Sequence, residues 1–190
     1  MTLPNRTAFE QGLIASIPNL RAFATSLSRN AATADDLVQD TLVKAWNNAA
    51  SFEEGSNLRA WLFTILRNTY FSDLRRRSRE VEDVNGAMAD KLTVLPSQNS
   101  HMDMIDFRHA FDGLSDDQKE VLVLVGAEGF SYEEAAVICG CAVGTVKSRV
   151  NRARGALAKK LGLDEAALKD AEADANIPPR SSERVVSRTP

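Results

Sequence analysis

The stretch SYEEAAVICGCAVGTVKSRVNRAR, residues 131–154, predicts two short helices separated by a turn at residues 139–141. Ser131 and Glu134 have the spacing of a capping box, in which each side chain accepts a hydrogen bond from the backbone N–H of the other residue. Gly140 readily adopts the left-handed backbone that ends one helix before another begins. The pattern is that of a helix-turn-helix.

The second of these helices combines an apolar stripe with a cationic remainder. The stripe follows steps of four, three and four residues, through Val146, Val150, Ala153 and Leu157. Residues 144–160 contain six lysines and arginines and no acid. A helix that is apolar inside and cationic outside is suited to the major groove of DNA.

Charge is unevenly distributed along the 190 residues, although the net charge is only −3. A second basic cluster of five arginines lies at residues 67–79, and residues 80–117 carry nine acids against Lys91 and Arg108. Two basic patches separated by an acidic stretch point to two nucleic-acid contacts. The alternative for each patch is a solvated helix face.

The composition favours an all-α protein. Hydrophobic residues make up 44% and aromatic residues 6% of the chain, glycine and proline are few, and the apolar spacing is helical nearly everywhere. No apolar run is long enough to cross a bilayer, and the start MTLPNRTAFE lacks the pattern of an export signal. Both cysteines lie in one C-x-C, which favours a reducing compartment. We therefore expect a cytoplasmic protein without membrane insertion.

The spacing of apolar residues and further capping boxes predict the helices of the first half. A box at Thr7 and Glu10 opens a helix with Phe9, Leu13, Ile14 and Ile17 on its apolar side, and Pro18 separates it from a second helix over residues 19–28. A box at Thr33 and Asp36 opens a third helix, which runs to about Asn48 with Leu37, Val38, Thr41, Leu42, Ala45 and Trp46 facing inward. A long helix follows over residues 58–77, with Leu58, Trp61, Leu62, Ile65 and Leu66 on its buried side.

The second half begins after a weakly patterned stretch. Residues 80–104 have no sustained period and predict an acidic linker mostly without fixed structure. The helical pattern resumes at Ile105, and a box at Ser115 and Gln118 precedes the helix-turn-helix. We therefore expect two small helical domains at residues 1–80 and 105–163, a flexible acidic linker at 81–104, and an acidic helical stretch with a flexible tail at 164–190.

Two polar surfaces of the first half are candidates for binding. Asp36, Gln39 and Asp40 form a compact face suited to a basic partner, although favourable charge near a helix N-terminus explains Asp36 equally well. The C-terminal part of the long helix mixes Asn68 with aromatic residues and with the arginines at 75–77. Rings and guanidinium groups can stack on unpaired bases while the cations hold phosphates.

Three segments together resemble a known family. DDLVQDTLVKAW (residues 35–46), SNLRAWLFTILRNTYFSDLRRR (56–77) and FSYEEAAVICGCAVGTVKSRVNRAR (130–154) are similar to bacterial RNA polymerase sigma factors of the extracytoplasmic-function (ECF) type. The resemblance covers nearly all of residues 7–162. Within the family, residues 125–149 look most like the general stress response sigma factors of alphaproteobacteria.

This resemblance implies a function and a set of site residues. Such a protein binds core RNA polymerase and promoter DNA and is controlled by an anti-sigma factor, and its two domains are called region 2 and region 4. Region 2 would bind polymerase through Asp36, Gln39 and Asp40. It would open the −10 element through Phe52, Asn57, Asn68, Arg75, Arg76 and Arg77, with residues 52–57 as the loop of a base pocket. Region 4 would read the −35 element through Thr145, Lys147, Ser148, Asn151 and Arg152.

Other interpretations of the sequence remain. A sigma-like mimic would bind an anti-sigma factor without touching DNA, but the cationic helix and the arginines at 75–77 count against it. A simple helix-turn-helix repressor would leave residues 35–77 unexplained. We find no nucleophile-and-base arrangement, phosphate-binding loop or metal-ligand cluster, so we expect neither an enzyme nor a cofactor or metal. Cys139 and Cys141 suggest apolar packing at the turn, with a redox switch as the alternative, because cysteines two apart on a tight turn rarely form an unstrained disulfide.

Overall fold

The computed structural model describes residues 6–83 and 100–163, and these residues form helices and connecting turns without a strand. This bears out the all-α prediction. The first half contains α1 (Arg6–Ser28), α2 (Ala31–Asn47), a short 3-10 turn (Ala49–Ser51) and α3 (Leu58–Asp83). The second half contains α4 (Ser100–Asp112), α5 (Asp116–Leu122), a π-helical turn (Val123–Ala127), α6 (Tyr132–Cys139) and α7 (Val143–Leu161).

The core of the first half lies where α1, α2 and α3 meet. The rings of Phe23 and Phe63 stack with their centroids 5.0 Å apart, and both side chains are fully buried. Leu20, Leu62 and Leu66 are buried around them. Each side chain of this size contributes roughly 1.5–3 kcal/mol on burial. The buried side predicted for α3 included the neighbouring residues Leu62 and Leu66 but did not include Phe63.

Helix α1 corrects the prediction of two helices separated at Pro18. It is continuous from Arg6 to Ser28 with Pro18 inside it. A proline costs one intrahelical hydrogen bond, but buried residues on both sides of it, including Leu13 and Leu20, pack on one face and hold the helix together. The box predicted at Thr7 is also wrong, because Thr7 lies within the helix and Glu10 accepts from Arg6 at 3.1 Å.

Helix α2 begins earlier than predicted. Its N-cap is Asn30, whose side-chain oxygen accepts from the N–H of Thr33 at 3.0 Å, so the box predicted at Thr33 and Asp36 is wrong. The amide of Asn30 satisfies one of the free N–H groups at the helix start. The inward face is otherwise as expected, except that Trp46 is 45% exposed.

The helix-turn-helix forms as predicted. In the α6 capping box, Ser131 Oγ accepts from the N–H of Glu134 at 3.1 Å, and Glu134 Oε2 accepts from the N–H of Ser131 at 2.9 Å. Gly140 ends α6 with φ 62°. The apolar stripe of α7 is buried at Val146, Val150 and Ala153. The box at Ser115 is also present, with Gln118 Oε1 accepting from the N–H of Ser115 at 3.1 Å.

The predicted linker at residues 81–104 lies only partly within the described residues. Helix α3 continues to Asp83 and α4 begins at Ser100, so the ends of the predicted linker are helical. Residues 84–99 lie outside the described residues, and so does the C-terminal stretch at 164–190.

The two halves of the chain pack against each other. Helix α6 packs on α3, and α5 packs on α1. Phe63 of α3 meets Phe130, which precedes α6, edge to face with centroids 5.0 Å apart. Both rings are buried, so a single hydrophobic cluster runs through both halves.

Candidate nucleic-acid interface

The outward face of α7 carries polar and cationic side chains on a rigid support. Lys147, Ser148, Asn151 and Arg152 are exposed and Thr145 is half-buried, while Val146 and Val150 anchor the opposite side. Arg152 is oriented by Ser148, because its Nη2 donates to Ser148 Oγ at 3.1 Å and its Nε donates to the Ser148 carbonyl at 3.2 Å. The Lys147 ammonium lies 5.7 Å from the centre of the Tyr132 ring. The structure thus brings the sequence-predicted residues of this helix together on one accessible face.

Arg149 differs from the other cations of α7. Its side chain is only 22% exposed, and Nη2 lies 2.8 Å from Asp117 Oδ2 of α5. Helical periodicity had predicted an outer position for Arg149, like that of its neighbours. The ion pair instead fastens α7 to α5, so Arg149 is a structural residue of the helix-turn-helix.

The start of α3 joins the predicted pocket loop to the second half of the chain. Asn57 accepts from the N–H of Ala60 at 3.1 Å, in the manner of an N-cap, while its Nδ2 donates to Glu134 Oε1 at 2.7 Å. Burial of the Glu134 carboxyl is outweighed by hydrogen bonds from Ser131 and Asn57, which hold its pKa below the usual value. Asn57 is therefore already engaged by a side chain of the helix-turn-helix.

The other residues predicted for the −10 element are spread along α3. Phe52 is half-buried, with its ring centroid 5.8 Å from that of Phe9 and 5.4 Å from that of Trp61, so it packs the loop onto the core. Asn68 is exposed about 16 Å along the helix from Asn57, from the rise of 1.5 Å per residue. The arginines at 75–77 are exposed beyond it, with Arg76 3.5 Å from Asp73.

The polar face of α2 adjoins an apolar groove that sequence reasoning missed. Asp36, Gln39 and Asp40 are all exposed, as expected. Val43 and Trp46 follow on the same helix and are 57% and 45% exposed, and Ile14 of α1 is 67% exposed. These side chains line a groove between α1 and α2 together with Glu10, Leu13, Ile17, Leu42 and Asn47. The periodicity of Ile14 and Trp46 matched an inward face, and only the packing of α1 against α2 shows that they lie at its edge.

Comparison with known proteins bears directly on these surfaces. The family described as Sigma-70 region 2 matches residues 13–80, and Sigma-70, region 4 matches residues 104–157. The chain is 57% identical over 164 residues to the ECF RNA polymerase sigma factor EcfG of Rhodopseudomonas palustris, an alignment covering 86% of this chain and 91% of that protein. This chain is an ECF sigma factor.

More distant and structural relatives agree with this assignment. The sigma factor is 33% identical over 157 residues to the ECF sigma factor SigC of Mycobacterium tuberculosis, covering 80% of this chain and 83% of that one. The sigma factor RpoE, solved in complex with the anti-sigma factor NepR from Bartonella quintana, matches with a TM-score of 0.75 and 54% identity, covering 83% of this chain and 98% of that one. Members of the family direct promoter-specific transcription initiation, and the α7 face belongs to the part that matches region 4. In the described ranges of this sigma factor, no helix has the length and apolar character to span a membrane.

Proposed function

We propose that this sigma factor reads a −35 element with α7, opens a −10 element with α3, and binds core RNA polymerase through α2. The observation that carries the proposal is the accessible face of α7, where Ser148 holds the Arg152 guanidinium in place. An arginine whose rotamers are restricted before binding loses less entropy when it meets a base edge. Each good bidentate contact to a base is worth about 1–3 kcal/mol of discrimination.

The exposed residues of α3 are suited to single-stranded DNA rather than to a duplex groove. Asn57 and Asn68 offer amide groups that both donate and accept hydrogen bonds, as the edge of an unpaired base requires. The arginines at 75–77 are exposed cations that we expect to hold phosphates, so they set salt dependence more than sequence preference. Unstacking the bases costs roughly a few kcal/mol, which contacts of this kind offset.

The face formed by Asp36, Gln39 and Asp40 is proposed as the polymerase-binding surface. It is acidic, exposed and continuous along one side of α2. The groove containing Val43 and Trp46 adds apolar area next to it. A partner helix with basic and apolar side chains would satisfy both features.

Regulation by an anti-sigma factor and a role in stress-response genes complete the proposal. Residues 125–149 resemble general stress response sigma factors, and the RpoE structure from Bartonella quintana is a complex with its anti-sigma factor NepR. We propose that this chain has a partner of the same class. The sigma factor itself supplies binding and strand opening, while the polymerase performs the chemistry.

In-vitro transcription tests the proposal directly. The purified chain with core polymerase should yield promoter-specific transcripts from genomic fragments, and mapping their start sites would identify the two elements. Arg152→Ala should weaken binding to −35 duplex by about 5- to 150-fold, which corresponds to the 1–3 kcal/mol of a specific base contact. Lys159→Ala, at the far end of the same helix, is the matched control.

Asp40→Ala should weaken assembly with core polymerase while leaving −35 duplex binding intact. Asp106→Ala, which removes an exposed carboxylate of α4, serves as its control. The absence of any promoter-specific transcript would contradict the sigma function of this chain. If Arg152→Ala and Asp40→Ala impair the same step, the division of roles between α7 and α2 is wrong.

A further inference from the structure

One cation of α7 is turned away from the outer face of that helix. Lys147 and Arg152 are exposed, whereas the Arg149 side chain is only 22% exposed. Its Nη2 lies 2.8 Å from Asp117 Oδ2 on α5. We call this contact the Asp117–Arg149 pair. It places a guanidinium of the helix proposed to read DNA beside a carboxylate of the same half.

Arg149 lies at the boundary between the buried and the exposed side of α7. Since residues advance by about 100° around an α-helix, Arg149 stands about 60° from the buried Val146 and about 60° from the exposed Arg152. A helix in the major groove has the phosphates of the two strands along its two flanks. A long side chain at this boundary can therefore turn towards a neighbouring helix or towards a phosphate.

Asp117 sets the direction that Arg149 takes in the structure. Asp117 lies in the first turn of α5, and α5 packs on α7, so its carboxylate is brought to this flank. A carboxylate in the first turn is stabilised by the helix dipole, so Asp117 suits its position even without a cation. A charge-assisted contact of 2.8 Å is among the strong hydrogen bonds of proteins.

The Asp117–Arg149 pair carries no net charge, and this matters for DNA binding. Sequence-independent affinity for duplex DNA comes from lysines and arginines that neutralise phosphates and release counterions. An arginine held by a carboxylate adds no such contact. The Asp117 side chain is 49% exposed, so its charge also repels a phosphate that approaches this flank. The pair therefore lowers by one the number of phosphates that α7 can neutralise.

We propose that Asp117 restrains the sequence-independent DNA binding of this sigma factor, because it holds Arg149 away from the phosphates on the α5 side of α7. This rests on the proposed function insofar as α7 enters the major groove. Phosphate contacts carry no sequence information, so a further one would raise the affinity for every duplex alike. Since arbitrary sites far outnumber specific ones in a genome, such a contact would retain more of the sigma factor on DNA away from polymerase.

A double-mutant cycle on the full chain tests this role. Asp117→Ala removes the carboxylate that holds Arg149, Arg149→Gln removes the guanidinium, and the double variant removes both. Asp116→Ala is the matched control, because it removes an equal charge from the same turn of α5 and leaves the Asp117–Arg149 pair in place. Fluorescence anisotropy with a short duplex of arbitrary sequence, repeated over a range of salt concentrations, gives the affinity and its salt dependence.

We expect Asp117→Ala to steepen the plot of log affinity against log salt by about 0.9 and to raise the affinity about eightfold at 0.1 M salt, which corresponds to one additional phosphate contact. Arg149→Gln alone should leave the slope unchanged, because the paired guanidinium contacts no phosphate. The double variant should return to the slope of the wild type. Asp116→Ala should also keep that slope.

Three results would overturn the proposal. An unchanged slope in Asp117→Ala would show that the released Arg149 does not reach a phosphate. A shallower slope in Arg149→Gln alone would show that Arg149 leaves Asp117 for a phosphate whenever DNA binds. Equal steepening in Asp116→Ala would show a general effect of charge on α5. If Asp117→Ala loses its cooperative melting transition, Asp117→Asn, which keeps the shape of the side chain, takes its place.

The duplex of arbitrary sequence separates this role of Asp117 from −35 recognition, because the slope is measured without a promoter. Recognition by α7 fails if the wild type binds the mapped promoter duplex no more tightly than the arbitrary one. On the promoter duplex, Asp117→Ala should raise the affinity by the same factor as on the arbitrary duplex, so the ratio of the two stays constant. A changed ratio would show that Arg149 meets a base edge instead of a phosphate, which would contradict the proposal.

Discussion

Replacing Arg67 by methionine should destabilise the protein strongly and in a pH-dependent manner. Arg67→Met keeps the apolar stem that packs near Phe71, whose ring centre lies 4.8 Å from the guanidinium carbon, but removes the charge that faces Glu120. Because the Glu120 side chain is fully buried, its carboxylate would be left without its cation away from water. Removing one partner of a buried pair typically costs 3–5 kcal/mol. We expect about 3 kcal/mol, the low end, since Arg67 itself is partly exposed.

The pH dependence follows from the Glu120 carboxyl. Burial raises its pKa above the usual value, and Arg67 opposes that shift. A raised pKa means that the folded state retains a proton that the unfolded state releases, so the associated stability is lost as the pH rises through the folded-state pKa. In Arg67→Met the opposing effect of Arg67 is absent and the pKa of Glu120 rises further. The deficit of the variant should therefore be largest near pH 8 and shrink towards pH 5.

Urea denaturation of the wild type and of Arg67→Met at pH 5 and pH 8 measures the loss in free energy of unfolding at each pH. Arg75→Ala is the control, because Arg75 is exposed and should alter stability by less than about 0.5 kcal/mol. A loss of stability below about 1 kcal/mol at pH 8, or equal losses at both pH values, would refute the reasoning.

Three further substitutions or treatments address the helix-turn-helix. Ser131→Ala removes the serine oxygen of the α6 capping box and should cost about 1 kcal/mol in urea denaturation; no measurable loss would mean that Glu134 alone maintains the helix start. Gly140→Ala should cost about 1 kcal/mol, because φ is 62° while no atom lies within 4 Å of the added methyl group, so a much larger loss would indicate a steric clash. Peroxide should leave −35 duplex affinity unchanged, since Cys139 is buried and burial raises the pKa of its thiol. If peroxide instead weakens duplex binding, and the double variant Cys139→Ser, Cys141→Ser is insensitive to it, the redox-switch hypothesis is supported.

Local patterns in the sequence were sufficient for the parts of the site that depend on neighbouring residues. The capping boxes at Ser115 and Ser131 and the turn at Gly140 involve groups at most five residues apart, so their spacing is visible in the chain. The stripe of α7 through Val146 and Val150 follows directly from helical periodicity. Short-range spacing and periodicity are therefore enough to locate the recognition helix and its exposed cations.

The sequence-based predictions were wrong where tertiary packing overrides a local signal for a helix end or a buried position. Pro18 is a helix-breaking signal, yet α1 continues through it because both of its ends pack on the same core. The N-cap of α2 is Asn30 and not Thr33, which was predicted. Both residues can cap a helix, so the sequence alone does not decide between them. Trp46 has the periodicity of a buried residue but lies at the edge of the groove.

The sequence by itself determined the all-α fold, the helix-turn-helix and the family, because each rests on periodicity or on motifs in linear order. Only the tertiary structure decided that Glu120, Glu128 and Glu134 meet Arg67, Arg59 and Asn57. Burial and pairing across more than 50 residues leave no regular spacing in the chain. The cations that the linear sequence assigns to solvent or DNA are divided in the folded chain between an exposed face on α7 and ion pairs that Arg59 and Arg67 of α3 form with the second half.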